Sequence, residues 1–175
     1  MAKTIAVVAD CHIHPPKNPW PEAALAALKG VDQIIALGDM GESVGLDALE
    51  AIAPLFAVRG EDDQPDPRRA EEVRVLETDG VRIGCLFNPV KHGLAASVSP
   101  LQPAPDALAA ETRLFGGPVN VVLCASTHVA AQTEIGGRLV VDPGSVTLPG
   151  DGEPGGSFAL LTIDGGRCEA KIVRP

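Results

Sequence analysis

The sequence predicts a single α/β domain, two packed sheets with helices outside, on three observations. Short β-branched apolar runs alternate with Ala/Leu-rich helical stretches over the first third. After about residue 70 the runs pair around Asp-Gly or Gly-Gly, which is hairpin chemistry. No internal repeat or linker-like segment divides the 175 residues, so one domain is expected over residues 1–175. A hydrophobic fraction of 45% is enough for a substantial core. Aromatics make up 3%, with no Tyr and one Trp, so packing should rest on Ala, Val, Leu and Ile.

The elements follow in chain order. Residues 4–9 (TIAVVA) read as a buried strand. Residues 21–29 (PEAALAALK) read as a helix, with Pro21 in its first turn and Gly30 past its end. Residues 33–37 form the second strand, 46–53 the second helix and 55–58 the third strand. Hairpins are expected for 73–76 with 81–87 around Asp79-Gly80, for 132–135 with 139–141 around Gly136-Gly137, and for 158–163 with 168–173 around Asp164-Gly165-Gly166. Between them lie a helix near 106–114 and a strand at 119–124, while 88–105 and 150–156 read as loops.

Charge and cysteine usage exclude several classes of function. Fourteen basic against 23 acidic residues give a net charge of −9, and no Lys/Arg cluster could track a phosphate backbone, so strong nucleic-acid affinity is not expected. Cys11, Cys85, Cys124 and Cys168 lie far apart with no CxxC pair and read as structural thiols. The apolar run at 4–9 is too short for a signal peptide and no stretch approaches a membrane span, so a cytoplasmic protein without membrane association is expected. The sequence leaves homo-oligomer formation open.

In parallel-strand architectures ligands bind beyond the carboxyl ends of the strands. Here those ends carry Asp10-Cys11-His12, then Gly38-Asp39, then Arg59-Gly60-Glu61-Asp62-Asp63, and then Ala125-Ser126-Thr127-His128. Asp10 and His12, two apart on an extended segment, would point the same way. Carboxylate oxygen together with imidazole nitrogen suits Mn, Fe or Zn better than Ca. Gly38 and Gly60 allow sharp turns that bring each following acid close to an ion. Without a cation, Asp10, Asp39 and Glu61 would repel one another and their pKa values would rise.

These blocks, completed by Asp142-Pro143-Gly144-Ser145, resemble the ordered motifs Asp-x-His, Gly-Asp, Arg-Gly-Asn-x-Asp, Gly-His-Thr-His and Asn-Pro-Gly-Ser. That order is similar to the small phosphodiesterase branch of the calcineurin-like metallophosphoesterases, which also contains the metallophosphoesterase-like subunit of retromer. The resemblance implies a four-layer αββα sandwich of two mixed sheets flanked by helices. It also implies two divalent metals bridged by Asp39. The first site would use Asp10, His12, Asp39 and His128, all present. The second would use Glu61 in place of Asn, Phe87 or Asn88 in place of one His, and Ser126 in place of another, so one firmly bound ion is expected and a second is weak or absent.

The implied function is hydrolysis of a small phosphoester, a diester in the branch it resembles, by a metal-activated water, with Asp39, His128 and Glu61 as catalytic candidates. The competing reading is a catalytically weak fold serving as a protein-binding scaffold, as the retromer subunit implies. Arg59 is a candidate to orient a carboxylate or phosphate, with a plain salt bridge as its alternative. His14 is a candidate substrate contact or leaving-group acid, with an exposed loop residue as its alternative. His92 is a candidate replacement for a missing imidazole.

Overall fold

In the computed structural model, which describes residues 1–98 and 101–175, the first third alternates as expected: β1 (Lys3–Val8), α1 (Glu22–Ala27), β2 (Gln33–Ala36), α2 (Ser43–Glu50) and β3 (Leu55–Ala57). Pro21, at φ −63°, opens α1. The second helix begins at Ser43 rather than Leu46, because its first turn carries no apolar periodicity in the sequence. Gly45 in that turn is buried, and a Cβ there would lie 3.0 Å from Ile13 Cβ.

Three hairpins have two-residue turns, joining β4 (Val73–Thr78) to β5 (Val81–Leu86), β9 (Ala130–Ile135) to β10 (Arg138–Pro143), and β11 (Phe158–Asp164) to β12 (Arg167–Val173). The turn pairs Asp79-Gly80, Gly136-Gly137 and Gly165-Gly166 all have positive φ at both positions, as the type I′ turn demands. The stretch 88–105, expected to be a loop, instead contains a small antiparallel hairpin of β6 (Ala95–Val98) and β7 (Leu101–Pro103); Ser99 and Pro100 lie outside the described residues. Its strands are short, one holds a proline and a register shift interrupts the pairing, so no period-2 pattern marks it.

The α3 helix (Ala107–Phe115) ends at Gly116, in the left-handed conformation, and leads to β8 (Val121–Leu123). One five-stranded sheet runs β12-β11-β1-β2-β3 and the other β4-β5-β8-β10-β9. Each contains a parallel triplet: β1-β2-β3 runs to one edge of the first sheet with antiparallel β11 and β12 on its other side, and β5-β8-β10 forms the centre of the second between antiparallel β4 and β9.

Three apolar clusters define the layers. Ile5, Val7, Ile35, Ile83, Leu123 and Leu161 pack between the sheets. Ala24, Leu28, Leu46 and Leu49 of the α1 and α2 region cover Ala6, Val8, Ile34 and Ala36 on the outside of the first sheet. Phe115 of α3 covers Val122 and Val140 on the outside of the second. The order is therefore helix, sheet, sheet, helix, and the core is mainly aliphatic as the composition predicts. Cys11, Cys85 and Cys124 are buried free thiols and Cys168 a partly buried one.

Candidate metal centre

At the carboxyl ends of the parallel strands the backbone turns into sparsely populated territory. Among the described residues the non-glycine positions with positive φ are Asp10, His12, Asp39, Asp79, Ser126 and His128; all but the hairpin residue Asp79 stand at this edge. Asp10 and His12 follow β1 with φ of 52° and 43°, so they are not on an extended segment as the spacing suggested. Their side chains meet through consecutive left-handed turns rather than through strand alternation.

Glycines make the close approach possible. A Cβ on Gly38 would lie 2.6 Å from Gly60 Cα, and one on Gly60 would lie 2.2 Å from Asp39 N and Oδ1. Asp63 then ties the turns together: its carboxylate accepts from the backbone N–H groups of Asp39, Met40 and Gly60. The fully buried Arg69 guanidinium neutralises it at 2.7 Å.

Asp10, His12 and His128 form one set of potential metal donors, and His12, Asp39 and Asp62 form another. The His12 and His128 rings stack with centroids 5.5 Å apart. Each carboxylate has one oxygen held. Ser126 N–H donates to Asp10 Oδ2 at 3.1 Å, and Asp62 N–H donates to Asp39 Oδ1 at 2.9 Å. The other oxygens face imidazoles, with Asp10 Oδ1 3.5 Å from His128 Nε2 and Asp39 Oδ2 3.9 Å from His12 Nε2. Asp10 Oδ1 is buried without a hydrogen-bond partner. His128 Nδ1–H donates to the Leu148 carbonyl at 2.7 Å, which leaves the Nε2 lone pair directed at Asp10.

Burial pushes the Asp10 carboxyl up to about 7, helped by repulsion from Asp39 and Asp63 and opposed by the Ser126 N–H bond. Burial also raises Asp39, with repulsion from Asp63 adding to it and His12 opposing it. Asp142 is likewise pushed to about 7 by burial, although it accepts from Gly144 N–H and Thr127 Oγ–H. An orphaned buried oxygen, two raised carboxyls and two imidazoles form a donor set that fits a divalent transition ion.

The remaining sequence candidates are placed less centrally. Glu61 lines the same cleft, of about 400 Å³, with Phe87, Asn88 and Ser126, but its carboxylate accepts from Asn88 Nδ2 at 3.0 Å. Asp62, which the motif left as an unspecified position, is the acid gathered with His12 and Asp39. Its only sequence signal was adjacency to Glu61. Arg59 donates to Glu72 at 3.1 Å, the salt-bridge alternative. His92 lies 3.6 Å from the same carboxylate and beside Glu61 in a neighbouring recess, without joining either donor set. His14 is exposed and its Nδ1 lies 3.2 Å from Glu42 Oε1.

Comparison with known proteins decides the family. Residues 4–166 match the calcineurin-like phosphoesterase superfamily domain. The chain belongs to that superfamily. It is 28% identical over 172 residues to a probable metallophosphoesterase of Methanothermobacter thermautotrophicus, covering 97% of this chain and 91% of that protein. It is 29% identical to a probable metallophosphoesterase of Methanocaldococcus jannaschii, covering 97% and 80%. Vps29 of Chaetomium thermophilum has the same fold, with a TM-score of 0.72 at 23% identity and coverage of 98% and 97%. The superfamily thus supplies the context for the four-layer sandwich and for a strand-end donor set. Among the described residues no helix is long and apolar enough to cross a membrane.

Proposed function

We propose that this chain is a metal-dependent phosphoesterase, acting preferentially on diesters, with one divalent transition ion (Mn, Zn or Fe) held by Asp10, His12, Asp39 and His128. The observation that carries the reading is the unpartnered, buried Asp10 Oδ1 opposite a His128 ring whose other nitrogen is already engaged. Such an ion supplies Lewis acidity, making water nucleophilic near neutral pH and taking up charge from phosphoryl oxygens. The chain's own contribution is preorganisation. Ser126 and Asp62 N–H groups fix the carboxylate orientations, Leu148 fixes the His128 tautomer, and Asp63 with Arg69 holds the turns that carry Asp39.

With His12 assigned to the first ion, the second position is left with the oxygens of Asp39, Asp62 and Glu61, while Phe87 is buried and Asn88 occupies Glu61. A second ion is therefore held weakly and activity responds to excess Mn. That same substitution of donors favours, as the second reading, a catalytically weak fold that binds a protein partner. A cytoplasmic setting suits the four free thiols.

Hydrolysis of bis(p-nitrophenyl) phosphate with and without Mn separates the two. The phosphoesterase reading expects Mn-stimulated turnover that falls roughly a hundredfold or more in Asp39→Asn, the scale of losing a transition-state electrostatic partner. Turnover retained in that variant would move the chemistry elsewhere.

A further inference from the structure

Beside the donor set a second, larger space opens, an 800 Å³ groove lined by His12, His14, Pro15, Pro16, Glu42 and Leu148, with Lys17 and Asn18 at its end. His12 lines both, so the groove adjoins the cleft at that residue. Its sides are tied to the turns that carry the imidazoles. Asn18 Nδ2 donates to the carbonyls of Cys11 and His12 at 3.0 and 2.8 Å, which anchors the 14–18 loop to the His12 turn. Thr147 Oγ1 donates to the same Cys11 carbonyl, and the neighbouring Leu148 carbonyl accepts from His128. The groove is therefore fixed relative to His12 and His128 before any ligand arrives.

The lining is unusual for a chain with net charge −9. Pro15 and Pro16 are exposed, and Leu148 is 44% exposed, one of the few large apolar side chains left facing water. Glu42 and Lys17 offset one another in charge, and the His14–Glu42 pair offers hydrogen-bonding groups along one side. A phosphate alone needs none of this surface; a neutral arm with a flat apolar face does.

The geometry points to this groove as the subsite for the organic arm of a phosphodiester, an uncharged aryl or nucleoside-like group packed on Pro15, Pro16 and Leu148 and edged by His14 and Glu42. The inference rests on the phosphoesterase reading and names its substrate class: diesters with a neutral ring-bearing arm, preferred over monoesters and over simple alkyl diesters. Leu148 and the two prolines are specificity-determining residues that contribute to KM rather than to the reacting atoms.

The test uses two non-hydrolysable anions, diphenylphosphinate and dimethylphosphinate, titrated into the zinc-loaded, isotope-labelled protein while backbone amide resonances are followed. Diphenylphosphinate is expected to shift Lys17, Asn18 and Leu148 and to bind at least roughly fivefold more tightly than its dimethyl counterpart, the scale of part of one leucine's apolar contact. Leu148→Ala, a change at an exposed side chain that keeps the carbonyl accepting from His128, should abolish that preference. Equal affinities, no binding by either anion, or a preference that survives Leu148→Ala with shifts centred on Asn88 and Val90 would each overturn the assignment. Groove shifts in a protein that hydrolyses neither a phenyl diester nor a phenyl monoester would remove the phosphoesterase reading and leave the groove. Hydrolysis of a phenyl diester with the same KM in Leu148→Ala as in the unaltered protein would do the reverse.

Discussion

Asp10 concentrates the electrostatic problem of this molecule in one side chain: 1% exposed, one oxygen unpartnered, beside Asp39 and close to Asp142. Burial raises both Asp10 and Asp142 from the ordinary 3.8 to about 7, so the folded chain keeps protons that the unfolded chain has released. Their contribution to stability is therefore full below pH about 4 and is lost as pH rises to about 7, a change of up to a few kcal/mol. Denaturation in chelator should show a lower midpoint near pH 8 than near about pH 5.5. Zinc or manganese should raise the midpoint most at the higher pH, because the ion takes the ionised carboxylate. A chelated protein equally stable at both values would mean that these carboxyls are not held neutral.

At this scale the sequence singles out candidate donors by residue type and gives nothing of their geometry. Asp10, His12, Asp39 and His128 stood out by residue type at strand ends, and Gly38 and Gly60 by the need for close approach. The left-handed turns at Asp10, His12, Asp39, Ser126 and His128 left no sequence signal, since nothing in those residue types requires positive φ. Nor did the sequence separate Asp62, which joins a candidate donor set with His12 and Asp39, from Asp63, which serves the backbone and Arg69.

The elements were read from two periods and three turns. Strands β1 to β3 and helices α1 and α2 follow from alternating patterns, and the I′ hairpins from Asp-Gly and Gly-Gly, because these signals are local. The β6/β7 hairpin, a separate two-stranded sheet with an interrupted register, carries no such pattern and is not marked in the sequence. Close packing between elements also exceeds what a pattern can show: a Cβ on Gly84 of β5 would lie 2.6 to 2.8 Å from the Phe115 ring of α3. Gly84→Val should therefore lever α3 off the sheet and cost roughly 1–3 kcal/mol in chemical denaturation; an unchanged midpoint would show that the helix packs with slack.

On the proposed reading, the loops after β3, β5 and β8 would set the affinity for a second ion. Asn88 rather than Phe87 is the residue to exchange there, since Phe87 is buried within 2.9 Å of where a Gly38 Cβ would stand. Ser126→His alone should change little, because one donor cannot fix an ion. Glu61→Asn, Asn88→His and Ser126→His together should raise second-ion occupancy and turnover at least tenfold, about 1.4 kcal/mol of barrier. Two ions bound with no gain in rate would favour the scaffold reading.

At the scale of the whole molecule, the fold sets two parallel strand triplets face to face, so that the carboxyl ends of β1, β2, β3, β5 and β8 share one edge. Every candidate donor hangs from that edge while the helices cover the outer faces, and the site is thus a consequence of topology as much as of residue choice. The most direct measurement is an anomalous-difference map from crystals soaked in Mn or Zn. One strong peak bounded by Asp10, His12, Asp39 and His128, with at most a weak second peak near Asp39, Asp62 and Glu61, is the result predicted. An edge without density, or a peak that excludes His12 and His128, would contradict the account.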